Sequence, residues 1–186
     1  PLPELQRLFR AGVRQDIFGH ALRALHLPAD EDYLQQLVAV YREHQPDLQP
    51  FADIHVLRTL KEQGLELALL TDGWAAVQRR KVAALAIEDL FDAVVYSDEL
   101  GGTAAWKPST APFQACLDQL TSPPEQTLHL ADNPAKDFRP ARRLGLATVR
   151  IRRPHGEHTH ASPACPADAP DHTIHSLREL PPLLGR

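Results

Sequence analysis

Leu65-Glu-Leu-Ala-Leu-Leu-Thr71-Asp72-Gly73-Trp74-Ala-Ala-Val-Gln-Arg-Arg-Lys81 runs from a short apolar stretch through a turn signal into a helical pattern. Gly64 ends a helical spacing over Ile54 to Gln63 just before it, so the order here is helix, strand, turn, helix. A buried strand is expected at 65–70. The alternation then repeats. Ala93-Val-Val-Tyr96, Thr127-Leu-His-Leu-Ala131, Ala147-Thr-Val-Arg-Ile151 and His172-Thr-Ile174 are apolar runs. Between and after them, helical patterns lie near Ala111 to Leu120, over about Asp137 to Leu144 before Gly145, and from Ser176 onward. Five such runs separated by helices predict an α/β fold, a Rossmann-like parallel sheet buried by helices on both faces.

Residues 1–49 read differently. Asp30 is a plausible N-cap for a helix in which Leu34, Leu37, Val38 and Tyr41 share one face. Pro46 to Pro50 reads as a linker. The expected organisation is a small helical segment at 1–49 and an α/β core at 50–186. Arg10, Arg14 and Arg23 sit in the helical segment without forming a recognisable ligand motif.

A net charge of −4 over 186 residues supplies no basic field for a polyanion, which excludes nonspecific nucleic-acid binding. No stretch approaches the length of an apolar membrane span, and Pro1-Leu-Pro-Glu-Leu-Gln-Arg7 lacks the basic start and apolar run of a signal peptide. A cytoplasmic protein is expected. Cys116 and Cys165 have neither framework nor metal-ligand spacing and are read as two unpaired thiols.

Ligands of open parallel sheets bind beyond the carboxyl ends of the strands. Thr71-Asp72-Gly73 follows one predicted strand and Asp132-Asn133-Pro134-Ala135-Lys136-Asp137 another, so both clusters should face one crevice, with Lys107-Pro108 in a loop between them. A hydroxyl followed by freed backbone N–H groups at a helix start suits a phosphate, although a plain turn with an N-cap reads the same way. Lys107 can neutralise a phosphoryl oxygen or a neighbouring carboxylate. Asp132 and Asp137 supply oxygens suited to Mg2+, or they cap the following helix.

Taken in order, Thr71-Asp-Gly, Lys107-Pro and Asp132-Asn-Pro-Ala-Lys-Asp137 resemble the haloacid dehalogenase superfamily of phosphohydrolases, over about residues 51–155. Leu69-Leu-Thr-Asp-Gly-Trp-Ala-Ala-Val-Gln-Arg-Arg-Lys81 and Phe91-Asp-Ala-Val-Val-Tyr-Ser-Asp-Glu-Leu-Gly101 carry the likeness further. The resemblance implies that Thr71 binds the transferring phosphoryl group, with Asp72 and Gly73 beside it, and that Lys107 stabilises its charge. It also implies that Asp132 and Asp137 hold magnesium and that residues 1–49 form a helical cap. The expected activity is magnesium-dependent hydrolysis of a small phosphorylated metabolite through an aspartyl phosphate, with Trp74 and Asn133 as possible substrate contacts.

Two departures qualify the resemblance. Ala131 stands where the acidic motif usually has glycine, a change a strand end can accept. The family's nucleophile lies in an Asp-x-Asp motif on a first strand, and Asp16, Asp30, Asp32, Asp47 and Asp53 all fall in helical or loop patterns. In the family that strand is central, so the strands ending at Leu70 and Ala131 should each have an edge without a ladder partner. With Pro1 first and no methionine in the chain, the expectation is that an N-terminal extension or a second chain supplies the strand. The alternative reading is a catalytically inactive binder or regulator on the same fold. A haloacid dehalogenase is a weaker rival, because its chemistry would leave the acidic pair without a purpose.

The run His155-Gly-Glu-His158-Thr-His160 could in principle hold zinc, but it sits in a Pro/Ala/Ser-rich loop with no second cluster. His129 reads as a packed core residue. Arg150, Arg152 and Arg153 read as a solvated strand end that could meet an anionic substrate.

Overall fold

A computed structural model describes residues 2–13 and 15–185; Pro1, Arg14 and Arg186 lie outside the described residues. The chain divides into two compact units, residues 1–45 and 46–186.

The first unit is helical, with α1 (Leu2–Arg10), α2 (Ile17–Ala24) and α3 (Glu31–Glu43). Leu8, Ala21 and Leu22 are its buried apolar side chains. Asp30 caps α3 as the sequence suggests, its Oδ1 accepting the Tyr33 N–H at 2.9 Å. The Phe18 and Tyr41 rings meet edge to face, 5.9 Å between centroids.

The second unit carries α4 (His55–Glu62), β1 (Ala68–Thr71), α5 (Ala75–Leu85), β2 (Ala93–Tyr96), α6 (Ala111–Leu120) and β3 (Leu128–Ala131). There follow α7 (Phe138–Arg143), β4 (Ala147–Ile151), β5 (His172–Ile174) and the short α8 (Leu180–Leu183). All strand pairs are parallel. Leu70 of β1 lies opposite Val95, and β4 is the centre of its ladder, with Ala131↔Arg150 on one side and Arg150↔Thr173 on the other.

β1 begins later than the expected 65–70. The Leu67 N–H donates to the Asp92 carboxylate at 2.9 Å and its carbonyl accepts from Asp92 N at 2.7 Å. Leu67 thus meets Asp92, the residue ahead of β2, through that side chain, and the ladder starts only at Ala68.

The strands form two ladders, β1–β2 and β3–β4–β5, instead of one five-stranded sheet. Among the described residues, one edge of β1 and one edge of β3 have no strand partner. Every residue of β1 and β3 is only half-buried, whereas Thr148, Val149 and Arg150 of β4 and Ala93, Val95 and Tyr96 of β2 are buried.

Helices cover both faces of the β3 ladder, and the period-2 alternation of β3 shows it. Leu128 and Leu130 pack with Val56 and Leu60 of α4, Val149, Ile174 and Leu180. His129, between them, meets Phe113 of α6 with ring centroids 4.8 Å apart. Phe113 belongs to a second cluster with Leu117, Ala141 and Leu146. His129 is therefore packed, as its strand position suggests.

A buried ion pair closes the unit. Asp53, just ahead of α4, accepts both guanidinium nitrogens of Arg153 (2.9 and 3.1 Å), the Ser176 hydroxyl (2.8 Å) and the Leu177 N–H (2.8 Å). Arg150 and Arg152 are engaged by the loop after β4. Arg150 donates to the carbonyls of His158 (2.7 Å) and Ala161 (2.8 Å), and Arg152 to that of Thr159. Of the arginine cluster expected as a solvated edge, Arg150 and Arg152 are thus tied to main chain and Arg153 to Asp53, and Arg150 is 5% exposed. No helix among the described residues is long and apolar enough to cross a membrane.

Candidate active site

The carboxyl ends of β1, β2 and β3 bring the functional side chains to one place, as the strand-end rule requires. Thr71 is the last residue of β1, and its hydroxyl donates to Gln78 Oε1 at 2.9 Å. Gly73 makes the turn with φ +115°, where a Cβ would also stand 3.1 Å from the Gln78 amide nitrogen.

Asp72 sits at the hub. Its carboxylate accepts the Ser97 hydroxyl (2.8 Å), the Lys107 backbone N–H (2.9 Å) and the Lys136 ammonium (2.9 Å). Burial works against its charge, but Lys136, the Lys107 N–H and Ser97 outweigh that and lower its pKa. With its oxygens committed to these donors, Asp72 organises the loops around the crevice, and the two cations it gathers are suited to meeting an anion.

Lys107 turns its ammonium the other way, to Asp137 Oδ1 at 2.7 Å, and the second oxygen of Asp137 accepts the Asn133 N–H at 3.1 Å. Both charges are sheltered, with side-chain exposure of 10% for Lys107 and 2% for Asp137. His129 Nε2 stands 3.9 Å from the same Asp137 oxygen, beyond hydrogen-bond length. Burial opposes the Asp137 charge, yet His129 and Lys107 together hold the carboxyl at about 2. Asp132 is exposed at the end of β3, and Asn133 folds its side chain back to accept the Ala135 N–H at 3.0 Å.

Ser97 and Asp98 follow β2 and frame the site. Asp98 accepts the Ala75 N–H at the start of α5 (3.0 Å) with one oxygen and the Trp106 indole N–H (3.0 Å) with the other. Trp106 in turn meets Trp74 edge to face, with centroids 5.6 Å apart and planes at 85°.

Hydrogen bonds therefore link Asp72, Lys107, Asn133 and Asp137, all singled out in the sequence, while Thr71 and Gly73 flank Asp72 in the chain. Ser97, Asp98, Trp106 and Lys136 were missed. The strand-end rule applied to β2 points to Ser97 and Asp98, and Lys136 lies inside the acidic motif itself. Exposed Asp132 and ionised Asp137 offer the one or two carboxylates that magnesium takes alongside phosphate and water, so the donor set fits that ion. Among the described residues no group of three or more His, Cys, Asp or Glu side chains could hold a metal, in the 155–160 run or elsewhere.

The chain is similar to known proteins. Residues 15–151 match the model of a family described as haloacid dehalogenase-like hydrolases. The chain is 37% identical over 134 residues to a glyceraldehyde 3-phosphate phosphatase of Methanopyrus kandleri, covering 72% of this chain and 55% of that protein. It is 32% identical over 168 residues to a phosphoserine phosphatase of Thermus thermophilus, covering 90% and 63%. The chain spans little more than half the length of these relatives. Among solved structures, a putative hydrolase, YfnB, from Bacillus subtilis superposes with a TM-score of 0.72 at 21% identity, over 98% of this chain and 78% of that one, a likeness of fold.

Proposed function

We propose, from the premise that this chain belongs to the haloacid dehalogenase-like hydrolases, that it forms most of a magnesium-dependent phosphatase for a small phosphorylated metabolite. The observation that carries the reading is the placement of Lys107. Its backbone N–H is fixed on Asp72 at the end of β1 and its ammonium on Asp137 beyond β3, which sets a sheltered cation in the gap between the carboxyl ends of the two strands.

Thr71 binds a phosphoryl oxygen through its hydroxyl, and Lys107 neutralises charge as it builds on the transferring group, an electrostatic contribution held in place before the substrate arrives. Lys136, bridged to Asp72, adds a second cation to the same crevice. Magnesium, held by Asp132 with Asp137 nearby, would offset the charge of the phosphate oxygens. The nucleophile is an aspartate on a strand lodged between β1 and β3; its attack on phosphorus breaks the ester P–O bond, releases the alcohol and leaves an aspartyl phosphate, which water hydrolyses to inorganic phosphate and free aspartate, splitting one difficult step into two. Supporting this, β1 and β3 each keep an edge without a strand partner among the described residues. Residues 1–49 serve as the cap.

The same unpaired edges favour the second reading, a non-hydrolytic binder of phosphorylated ligands. Binding of inorganic phosphate, followed by magnesium-dependent phosphate release from phosphomonoesters, separates the possibilities. Binding that weakens in Lys107→Ala together with turnover supports the phosphatase, and binding without turnover supports the binder. Absence of both overturns the phosphate site.

A further inference from the structure

Two indole rings stand at the mouth of the phosphate crevice, each adjacent in the chain to a residue of the site. Trp74 follows Gly73 and is 48% exposed. Trp106 immediately precedes Lys107. Their planes lie at 85° with centroids 5.6 Å apart, so together they form two walls of a right-angled corner. One wall is anchored through its ring and the backbone beside the other is held by the same carboxylate. Trp106 is tied by its N–H to Asp98, and Asp98 also holds the first turn of α5, the helix that Trp74 leads into. A corner fixed before ligand arrives loses little side-chain entropy on binding.

The chemistry of the corner narrows what fits it. With its donor spent on Asp98, Trp106 offers apolar surface and a π face, and no hydrogen bond for a hydroxyl. Such a surface rewards a flat aromatic ring over a polyol or a short aliphatic chain. The corner borders the site: Asp98, which holds Trp106, is the chain neighbour of Ser97, and Ser97 donates to Asp72 at the end of β1.

We propose that the Trp74–Trp106 corner is the subsite for the alcohol portion of the substrate and that it selects phosphomonoesters carrying a planar aromatic ring, such as nucleoside monophosphates. The inference rests on the phosphate reading of Thr71 and Lys107, and it deepens that reading by naming the substrate class.

Trp74 and Trp106 are the chain's two tryptophans, so intrinsic fluorescence of the full chain reports on this corner. The test titrates it with adenosine monophosphate, ribose 5-phosphate, glycerol phosphate and inorganic phosphate, in the parent chain and in Trp74→Ala, where Trp106 remains as reporter. The expected result is that adenosine monophosphate binds about tenfold or more tightly than the ring-free phosphates, and that Trp74→Ala brings it to the affinity of ribose 5-phosphate. Equal affinity for adenosine monophosphate and ribose 5-phosphate overturns the aromatic subsite and leaves the phosphate site standing. So does a Trp74→Ala variant that keeps the preference. If none of the four probes binds by fluorescence or calorimetry, the phosphate reading itself has failed, and the subsite fails with it.

Discussion

Lys136 and Asp72 are 64 residues apart in the chain and 2.9 Å apart in space, and their contact joins the end of β3 to the end of β1 where no hydrogen-bond ladder connects the two strands. The Lys107–Asp137 pair makes a second crossing of the same gap, from the loop before α6 to the loop after β3. The carboxyl ends of the two ladders are thus held together by charge, at the place where a phosphate would bind.

Substituting Lys136→Met should weaken the clasp modestly. Asp72 keeps Ser97 and the Lys107 N–H as donors, and Lys136 is about one-third exposed, so a loss of about 1 kcal/mol is expected. Denaturant midpoints at unchanged slope would measure it, and a loss several times larger would show that the clasp carries more of the fold than its exposure allows.

Lys107 is a different case. The sequence alone suggests that Lys107→Ala would spare folding and cut turnover. In the structure it would strand a buried carboxylate, and about 3 kcal/mol of destabilisation is expected along with a loss of turnover of about a hundredfold or more. Adding Asp137→Asn should recover much of the stability and none of the activity. A double-mutant cycle with no coupling would refute the pairing.

Asp132→Asn should leave the unfolding midpoint within about 0.5 kcal/mol, because the residue is exposed. The magnesium concentration for half-maximal activity should rise by at least about tenfold. Unchanged magnesium dependence would remove Asp132 from the metal-binding role.

Acid should loosen the ion pair around Asp53. Burial raises its pKa, but Arg153, the Leu177 N–H and Ser176 overcome that and hold it at about 2, against 3.8 for the ordinary carboxyl. A depressed folded pKa means stability that is complete above about pH 4 and lost as pH falls towards 2. After allowance for solvent screening, this amounts to about 1–2 kcal/mol. Unfolding free energy against pH should show that drop, and Asp53→Asn should be less stable at neutral pH with a flatter profile.

Amide hydrogen exchange should rank the strands. β4, paired on both sides, should exchange slowest, and the amides of β1 and β3 that face away from their partners should exchange much faster. Protection of those edges equal to that of β4 would mean that something already covers them.

Much of this was legible in the sequence because it depends on local pattern. The five apolar runs all contain strands, and the clusters after Leu70 and Ala131 lie at strand ends because parallel α/β sheets place loops there. What escaped depends on long-range pairing. Nothing local marks Asp53 as the partner of Arg153, 100 residues away. Nor does any local pattern announce the three donors to the Asp72 carboxylate, which come from three separate segments. Leu65 to Leu67 has the composition of a strand, but the Leu67 N–H is taken by a side chain, Asp92, and the ladder begins one residue later.

The segment that follows β4 is fastened through its carbonyls: the guanidinium groups of Arg150 and Arg152 take hold of His158, Thr159 and Ala161 by their peptide oxygens. An anchor of that kind is indifferent to the side chains it carries. The exposed positions occupied by His155 and His160 are therefore open to exchange by grafting, and new recognition elements can be installed there without rebuilding the strand beneath.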